Sequence, residues 1–309
     1  MKVFHCFFIV LCVATVNATA ADRSVSIRFQ AQVGDEPFAC GRQYPNIGLT
    51  KSTIKGQDFR FYVSNVRLTD AAGKETPVDL EQDGKWQLDD LALLDFEDGT
   101  AGCSNGTPEI NTRIAGKVPE GRYTGLRFTM GVPFRLNHTD PLQQPSPLNL
   151  TALFWVWNAG HKFARIEFAS TGSPRGFMVH LGSTGCSPHD TRITVPTSCQ
   201  APNRVEVDLP SFDLSKDAVI ADLAALLRDT NVDSDQNSEK NSGGMMAGRR
   251  SETGMGMMMG PGCMSGPNDA NCAGLFLNFG LPFGSKPASE QKFFRAAKAN
   301  PEPSTRAAR

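Results

Sequence analysis

The segment Phe154-Trp155-Val156-Trp157-Asn158-Ala159-Gly160-His161-Lys162 holds two of the chain's three tryptophans and one of its five histidines. Two more histidines flank it in sequence, His138 in Asn137-His138-Thr139-Asp140-Pro141 and His180 in Met178-Val179-His180-Leu181-Gly182. Neutral imidazole is the commonest protein metal ligand, so this grouping is one from which a metal or redox site could be built. On a strand, side chains alternate between faces, and Trp155 and Trp157 would point the same way. Spacing alone equally describes a core tryptophan pair with hydrogen-bonded histidines, and that bland reading stands until something beyond spacing displaces it.

Other chemistry is sparse. Gly182-Ser183-Thr184-Gly185 lacks the G-x-S-x-G pattern of a nucleophile elbow, and no HExxH, P-loop or telling carboxylate pair is present. No C-x-x-C-H occurs, so the chain does not attach its own c-type haem. The expectation is a protein without enzymatic turnover of its own. Asp229, Asn231, Asp233, Asp235, Asn237 and Glu239 alternate somewhat like a calcium loop, but the central glycine and the final-glutamate register are missing, which favours a solvated acidic linker. Met245, Met246, Met255, Met257, Met258, Met259 and Met264 form a thioether-rich stretch of the kind that suits Cu(I), with plain low complexity as the alternative.

Any such site must be positioned by strands. Alternating runs stand at Ser24–Ala31, Phe59–Leu68, Tyr123–Met130, Phe163–Phe168 and Asn203–Leu209, punctuated by Asp83-Gly84, Asp98-Gly99, Asn105-Gly106 and Glu120-Gly121. Short strands between turns and long loops predict an all-β fold, a β-sandwich or barrel-like domain. A helical pattern over Asp217–Arg228 places Val219, Ile220, Leu223, Leu226 and Leu227 on one face. Trp86, after Asp83-Gly84-Lys85, reads as a turn-flanking structural residue. The expected organisation is a β-rich domain over 21–228, a flexible acidic and Met-rich insertion over 229–262, a cysteine-containing return to the domain over 263–284, and a disordered tail over 285–309 with a short helical possibility near Phe293.

The beginning of the chain reads as a secretory signal peptide over 1–20: Lys2, an apolar run from Phe7 to Val16, and Ala18-Thr19-Ala20 as the cleavage site. No other stretch is long and apolar enough to span a bilayer, so a periplasmic or extracellular location is expected. Six of the eight cysteines lie beyond the leader: Cys40, Cys103, Cys186, Cys199, Cys263 and Cys272. An even set in an exported chain favours disulfides over metal thiolates. Proximity suggests Cys186 with Cys199 and Cys263 with Cys272, leaving Cys40 with Cys103, although sequence leaves fifteen pairings open. A formal charge of −1 without a basic block gives no reason to expect nucleic acid or anionic membrane as partner.

Several segments together resemble the MbnP-like family, also called the metallo-mystery pair four-Cys motif proteins. They are Phe59–Leu68, Leu94-Asp-Phe-Glu-Asp-Gly-Thr, Gly121-Arg-Tyr-Thr-Gly-Leu-Arg-Phe with Gly131-Val-Pro, Asn137-His-Thr-Asp-Pro, Pro147-Leu-Asn, Phe154-Trp-Val-Trp through Phe163, His180-Leu-Gly-Ser-Thr-Gly-Cys, and Pro261-Gly-Cys-Met-Ser-Gly-Pro with Cys272. They occur in order from about Val25 to Leu281. The resemblance implies a periplasmic copper-binding protein paired with a di-haem cytochrome c peroxidase of the MauG type, which oxidises a client tryptophan to kynurenine. Indole nitrogen is a poor ligand because its lone pair belongs to the ring, whereas kynurenine offers an arylamine and a ketone. On this reading Trp155 or Trp157 is the modified residue, His138 and His180 are ligands, and His161 is a possible third donor at a position where the family often carries an aromatic residue. His189 is expected at the surface. Two departures stand out: six cysteines where the family name promises four, and the Met245–Met259 stretch, which could form a second, weaker copper site. The competing functions are a copper redox or electron-transfer protein using the same residues, and an exported scaffold or adhesion protein whose tryptophans and histidines are only packed.

Overall fold

Hydrophobic alternation on long strands builds two sheets that share one core. The computed structural model describes residues 21–155, 160–187, 195–234 and 261–299. The spine of the larger sheet is the strand Ser52–Thr69. Gly125–Met130 and then Val205–Leu209 add on one side of it, and Ala164–Ser170, Phe177–Leu181 and the short Gly262–Cys263 on the other. Leu91–Asp95 also pairs with this spine, matching Asp95 to Arg60 and Leu91 to Ser64. The second sheet runs Phe294–Lys298, Asp217–Asp222, Asp22–Val33, Arg113–Pro119 and Asp79–Leu80. The two meet through aromatic rings: Phe29 of the second sheet packs edge-on against Phe61 and Phe128 of the first, at 6.3 and 5.6 Å between centroids. This is a β-sandwich, one of the two all-β architectures that the alternation predicted.

All three proximity-based cysteine pairs are bonded: Cys40–Cys103, Cys186–Cys199 and Cys263–Cys272. The middle one ties the strands Thr184–Ser187 and Ser198–Ala201 of a separate hairpin, in which the two cysteines face each other in register.

Two expectations from the sequence are corrected. Asp217–Arg228 is not one helix. Asp217–Asp222 is a strand, parallel to Asp22–Val33 with Phe29 opposite Val219, and only Leu223–Leu227 is helical. The run Ala218-Val219-Ile220-Ala221 is buried on both faces, so it has no alternation to betray it, and its apolar spacing matches a helix as well as a strand. Asp222 marks the change, its carboxylate accepting from the amides of Ala224 and Ala225 as an N-cap. The region after Ser285 is likewise not all tail: Phe294–Lys298 pairs antiparallel with Asp217–Asp222, and Phe293 is fully buried.

The insertion expected over 229–262 begins ordered. Val232 is buried, and the Asp233 carboxylate accepts from Ser52, from Ser170 Oγ at 2.7 Å and from the Gly172 amide at 2.9 Å. Against the opposing effect of burial, these hydrogen bonds hold its pKa down at about 2. Residues 235–260, with the methionines from Met245 to Met259, lie outside the described residues, as do 1–20 and 300–309. Cys272 is followed by the helix Ala273–Phe279, which ends on Gly280 at φ 82°, a left-handed position that glycine adopts without strain. Trp86 is the structural residue expected: its amide and those of Lys85 and Gln87 all donate to Asp83 Oδ1.

Candidate metal centre

His180 owes its position to strand register. On Phe177–Leu181, Phe177, Val179 and Leu181 enter the hydrophobic core, so alternation turns His180 to the opposite face of the sheet, next to Arg165 on the neighbouring strand. That face is not solvated, and His180 is 2 % exposed. Its Nε2 lies 2.7 Å from Glu167 Oε1. The same carboxylate accepts from Arg165 Nε at 2.7 Å and Nη2 at 3.1 Å. Burial alone would raise the pKa of Glu167, but the hydrogen bonds from His180 and Arg165 and the guanidinium charge bring it to about 2. Ionised, Glu167 can only accept, so Nε2 of His180 carries the proton and Nδ1 carries the lone pair. Burial pulls the His180 pKa down, which favours this neutral form. Nδ1 is buried and has no hydrogen-bond partner among the described residues. An orphaned imidazole lone pair of this kind is costly in a folded interior and is what a soft cation would satisfy.

Trp155 lies beside it. The indole and imidazole centroids are 6.5 Å apart at an interplanar angle of 51°. The indole also lies across Gly182, where a Cβ would stand 2.6 Å from Trp155 Cζ3 and 3.0 Å from the His161 carbonyl oxygen. Gly182→Ala is therefore expected to push the indole off the sheet and weaken metal binding at His180. A shift in the tryptophan emission maximum together with a weaker metal dissociation constant would register it, and an unchanged spectrum would contradict it. The segment around Trp155 is not the simple strand that alternation suggested: Thr151–Leu153 is a 3-10 turn, and Phe154 makes an isolated bridge to His161. Trp157 and His189 lie outside the described residues.

His138 follows the short helix Phe134–Asn137 and is also 2 % exposed. The amide oxygen of Asn137 accepts from the backbone N–H of His161 at 3.0 Å, which leaves its nitrogen to donate to His138 Nε2 at 3.2 Å. His138 Nε2 is also 3.5 Å from Cys199 Sγ, whose sulfur is spent in the disulfide. His138 is thus linked through Asn137 to the loop that carries Trp155, and metal binding at Nε2 would replace the Asn137 hydrogen bond.

His161 is the sequence candidate that the structure gives other work. It is fully buried, with Nδ1 2.9 Å from the Asn137 carbonyl and Nε2 3.1 Å from the Leu148 carbonyl. A neutral ring donates from one nitrogen only, so one contact is a hydrogen bond and the other sets the ring lone pair against a carbonyl oxygen, with the imidazole wedged between two loops. Service as a third ligand would require the ring to give up one of these two carbonyl contacts.

Sequence reasoning passed over the charged residues behind His180. Asp95, Arg60, Arg165 and His180 are mutual partners across four adjacent strands, and Asp58 and Glu167 pair one step along. Lys162 lies nearby, pushed down to about 8 by burial, with Nζ donating to the Ala152 carbonyl at 2.9 Å. Burial likewise lifts Asp95 to about 8. The available signal was alternation itself: Asp58-Phe59-Arg60-Phe61, Arg165-Ile166-Glu167-Phe168 and Met178-Val179-His180-Leu181 put every ionisable group on one face.

The family model for MbnP matches residues 22–247. Among solved structures, MbnP from Methylosinus trichosporium is similar at 30 % sequence identity and a TM-score of 0.74, over 91 % of this chain and 100 % of that one. No curated protein matches. Among the described residues no helix is long and apolar enough to cross a membrane.

Proposed function

The chain belongs to the MbnP family, and on that premise we propose that it is an exported copper-binding protein, serving copper acquisition or storage, whose Trp155 is oxidised to kynurenine by a di-haem peroxidase partner of the MauG type. One observation carries the site: His180 presents a buried Nδ1 with no hydrogen-bond partner among the described residues, while Glu167 accepts from the other nitrogen. Neutral imidazole is a borderline donor that copper accepts, and the fit extends to the neighbour. The Trp155 indole lies 6.5 Å from the His180 ring between centroids, and its conversion would replace a poor indole donor by an arylamine and a ketone beside His180. His138 joins as second imidazole by exchanging its Asn137 hydrogen bond for the metal. Copper held here would be a cargo ion rather than a catalyst, and the chain would act as the partner's substrate without turnover of its own. What the residues contribute is placement: the sheet holds His180 rigid, the disulfide hairpin backs His138, and Gly182 leaves room for the indole.

Peptide mass spectrometry over Leu153–Arg165 tests this reading, using protein exported by a host that also makes the active peroxidase. The expected result is a Trp155 that has exchanged one ring carbon for one oxygen. Unmodified Trp155 and Trp157 under those conditions would remove the maturation step, and modification of Trp157 alone would reassign it.

A further inference from the structure

Behind His180 runs a row of ion pairs that the copper reading does not by itself require. Glu97 Oε1 stands 3.4 Å from Arg60 Nη1, and Arg60 Nε donates to Asp58 Oδ1 at 2.9 Å. Asp58 Oδ2 lies 3.0 Å from Arg165 Nε, and Arg165 clamps Glu167 with two hydrogen bonds. The signs alternate from Glu97 to Glu167, and Glu97, Arg60, Asp58 and Arg165 are all buried. Stability does not account for such a row, because well-packed apolar residues in place of buried ion pairs are often as stable or more so. What the row does provide is a fixed direction for each hydrogen bond along it.

We infer that the row is a positioning device that holds His180 in its Nε2-protonated tautomer, with Glu167 as the positioning residue and Arg165 and Asp58 fixing Glu167 in turn. This rests on the copper reading for its purpose but not for its test. A neutral imidazole carries its proton on whichever nitrogen meets an acceptor. Glu167 supplies that acceptor and, being ionised, supplies no donor. It cannot turn away, because both of its oxygens are engaged by the planar guanidinium of Arg165. Arg165 cannot swing either, since its Nε also faces Asp58, itself held by Arg60. The device therefore keeps the Nδ1 lone pair aimed away from the row.

Hydrogen-bond accounting makes the isosteric change informative. In Glu167→Gln one of the two carboxylate oxygen positions must become an amide nitrogen, and either choice sets it against an Arg165 donor. Arg165 Nη2 has its hydrogen bond to Glu167 Oε2, whereas Arg165 Nε keeps a second acceptor in Asp58 Oδ2 at 3.0 Å. The amide nitrogen is therefore placed at the Oε1 position, where Arg165 Nε turns to Asp58. There it donates to His180 Nε2, the imidazole proton moves to Nδ1, and the lone pair is lost from the site.

The test is nitrogen-15 NMR of the His180 imidazole in metal-free protein, wild type and Glu167→Gln, followed by Cu(I) titration of both against a chromophoric chelator. Wild type is expected to be Nε2-protonated and the variant Nδ1-protonated, with Cu(I) affinity lower by about 10–100-fold, the usual range for loss of an outer-shell partner. A wild-type Nδ1-protonated ring overturns the inference even if the variant does not fold, and so does a variant that keeps the wild-type tautomer. A flipped tautomer with undiminished Cu(I) affinity upholds the device and takes copper away from His180 Nδ1, which is failure of the site reading instead.

Discussion

His180→Ala is expected to lower copper affinity at least about 100-fold, since loss of an outer-shell partner alone costs roughly 10–100-fold and this change removes the donor atom itself. The fold should survive. Glu167 keeps both hydrogen bonds from Arg165, so no carboxylate is left uncompensated. The structural cost is then one buried hydrogen bond and a small cavity, about 1–3 kcal/mol. His161→Ala provides the contrast. Its buried ring lies between the carbonyls of Asn137 and Leu148 and donates to one of them, so its removal should cost stability and leave much of the copper affinity in place. His138→Ala should also weaken copper binding with the fold and disulfides intact. Competition titrations and thermal melts on the three variants separate these outcomes, and copper binding unchanged in both His138→Ala and His180→Ala would remove the proposed ligands.

The largest expected loss of stability comes from a position outside the centre. Phe293→Ala should destabilise the protein by about 3–5 kcal/mol, the usual cost of deleting a buried phenylalanine ring. The ring is fully buried and has aromatic neighbours on four sides: Phe59, Phe61, Phe279 and Phe294, with centroids at 6.0, 6.1, 5.3 and 4.5 Å. Phe59 and Phe61 belong to the spine of the larger sheet, and Phe279 to the helix after Cys272. Phe293 thus joins three parts of the chain, and its carbonyl also accepts from the Asp222 amide at 2.8 Å. Urea denaturation reads the effect directly, and a loss below about 1 kcal/mol, far under the large-to-small core range, would mean that this segment is not part of the cooperative core.

How far the fold could be read from the sequence follows from what period-two alternation can report. Phe59–Leu68 and Phe163–Phe168 bury one face, so their pattern survives in the sequence and the sandwich was legible. Asp217–Asp222 buries both, which erases the pattern and lets a strand pass for part of a helix. Phe293 and Phe294 stand in a short polar neighbourhood, and their role depends on a strand more than 70 residues earlier, Asp217–Asp222, which local reading cannot supply. At the centre, histidine and tryptophan types named His138, His180 and His161 and left Trp155 and Trp157 as equal alternatives. Alternation could say that Asp58, Arg60, Arg165, Glu167 and His180 share a sheet face, but not that loops would cover it, so charges that look solvated in sequence are buried in the fold. The difference between His180 and His161 was invisible for the same reason: it lies in which backbone carbonyls the loops bring to each ring.

Anomalous diffraction at the copper edge from crystals of the copper-loaded, peroxidase-matured protein tests the central claim most directly. The account predicts a copper peak within bonding distance of His180 Nδ1, on the side of the ring away from Glu167 and against the Trp155-derived side chain. A peak elsewhere, with His180 Nδ1 still unbound, would contradict it.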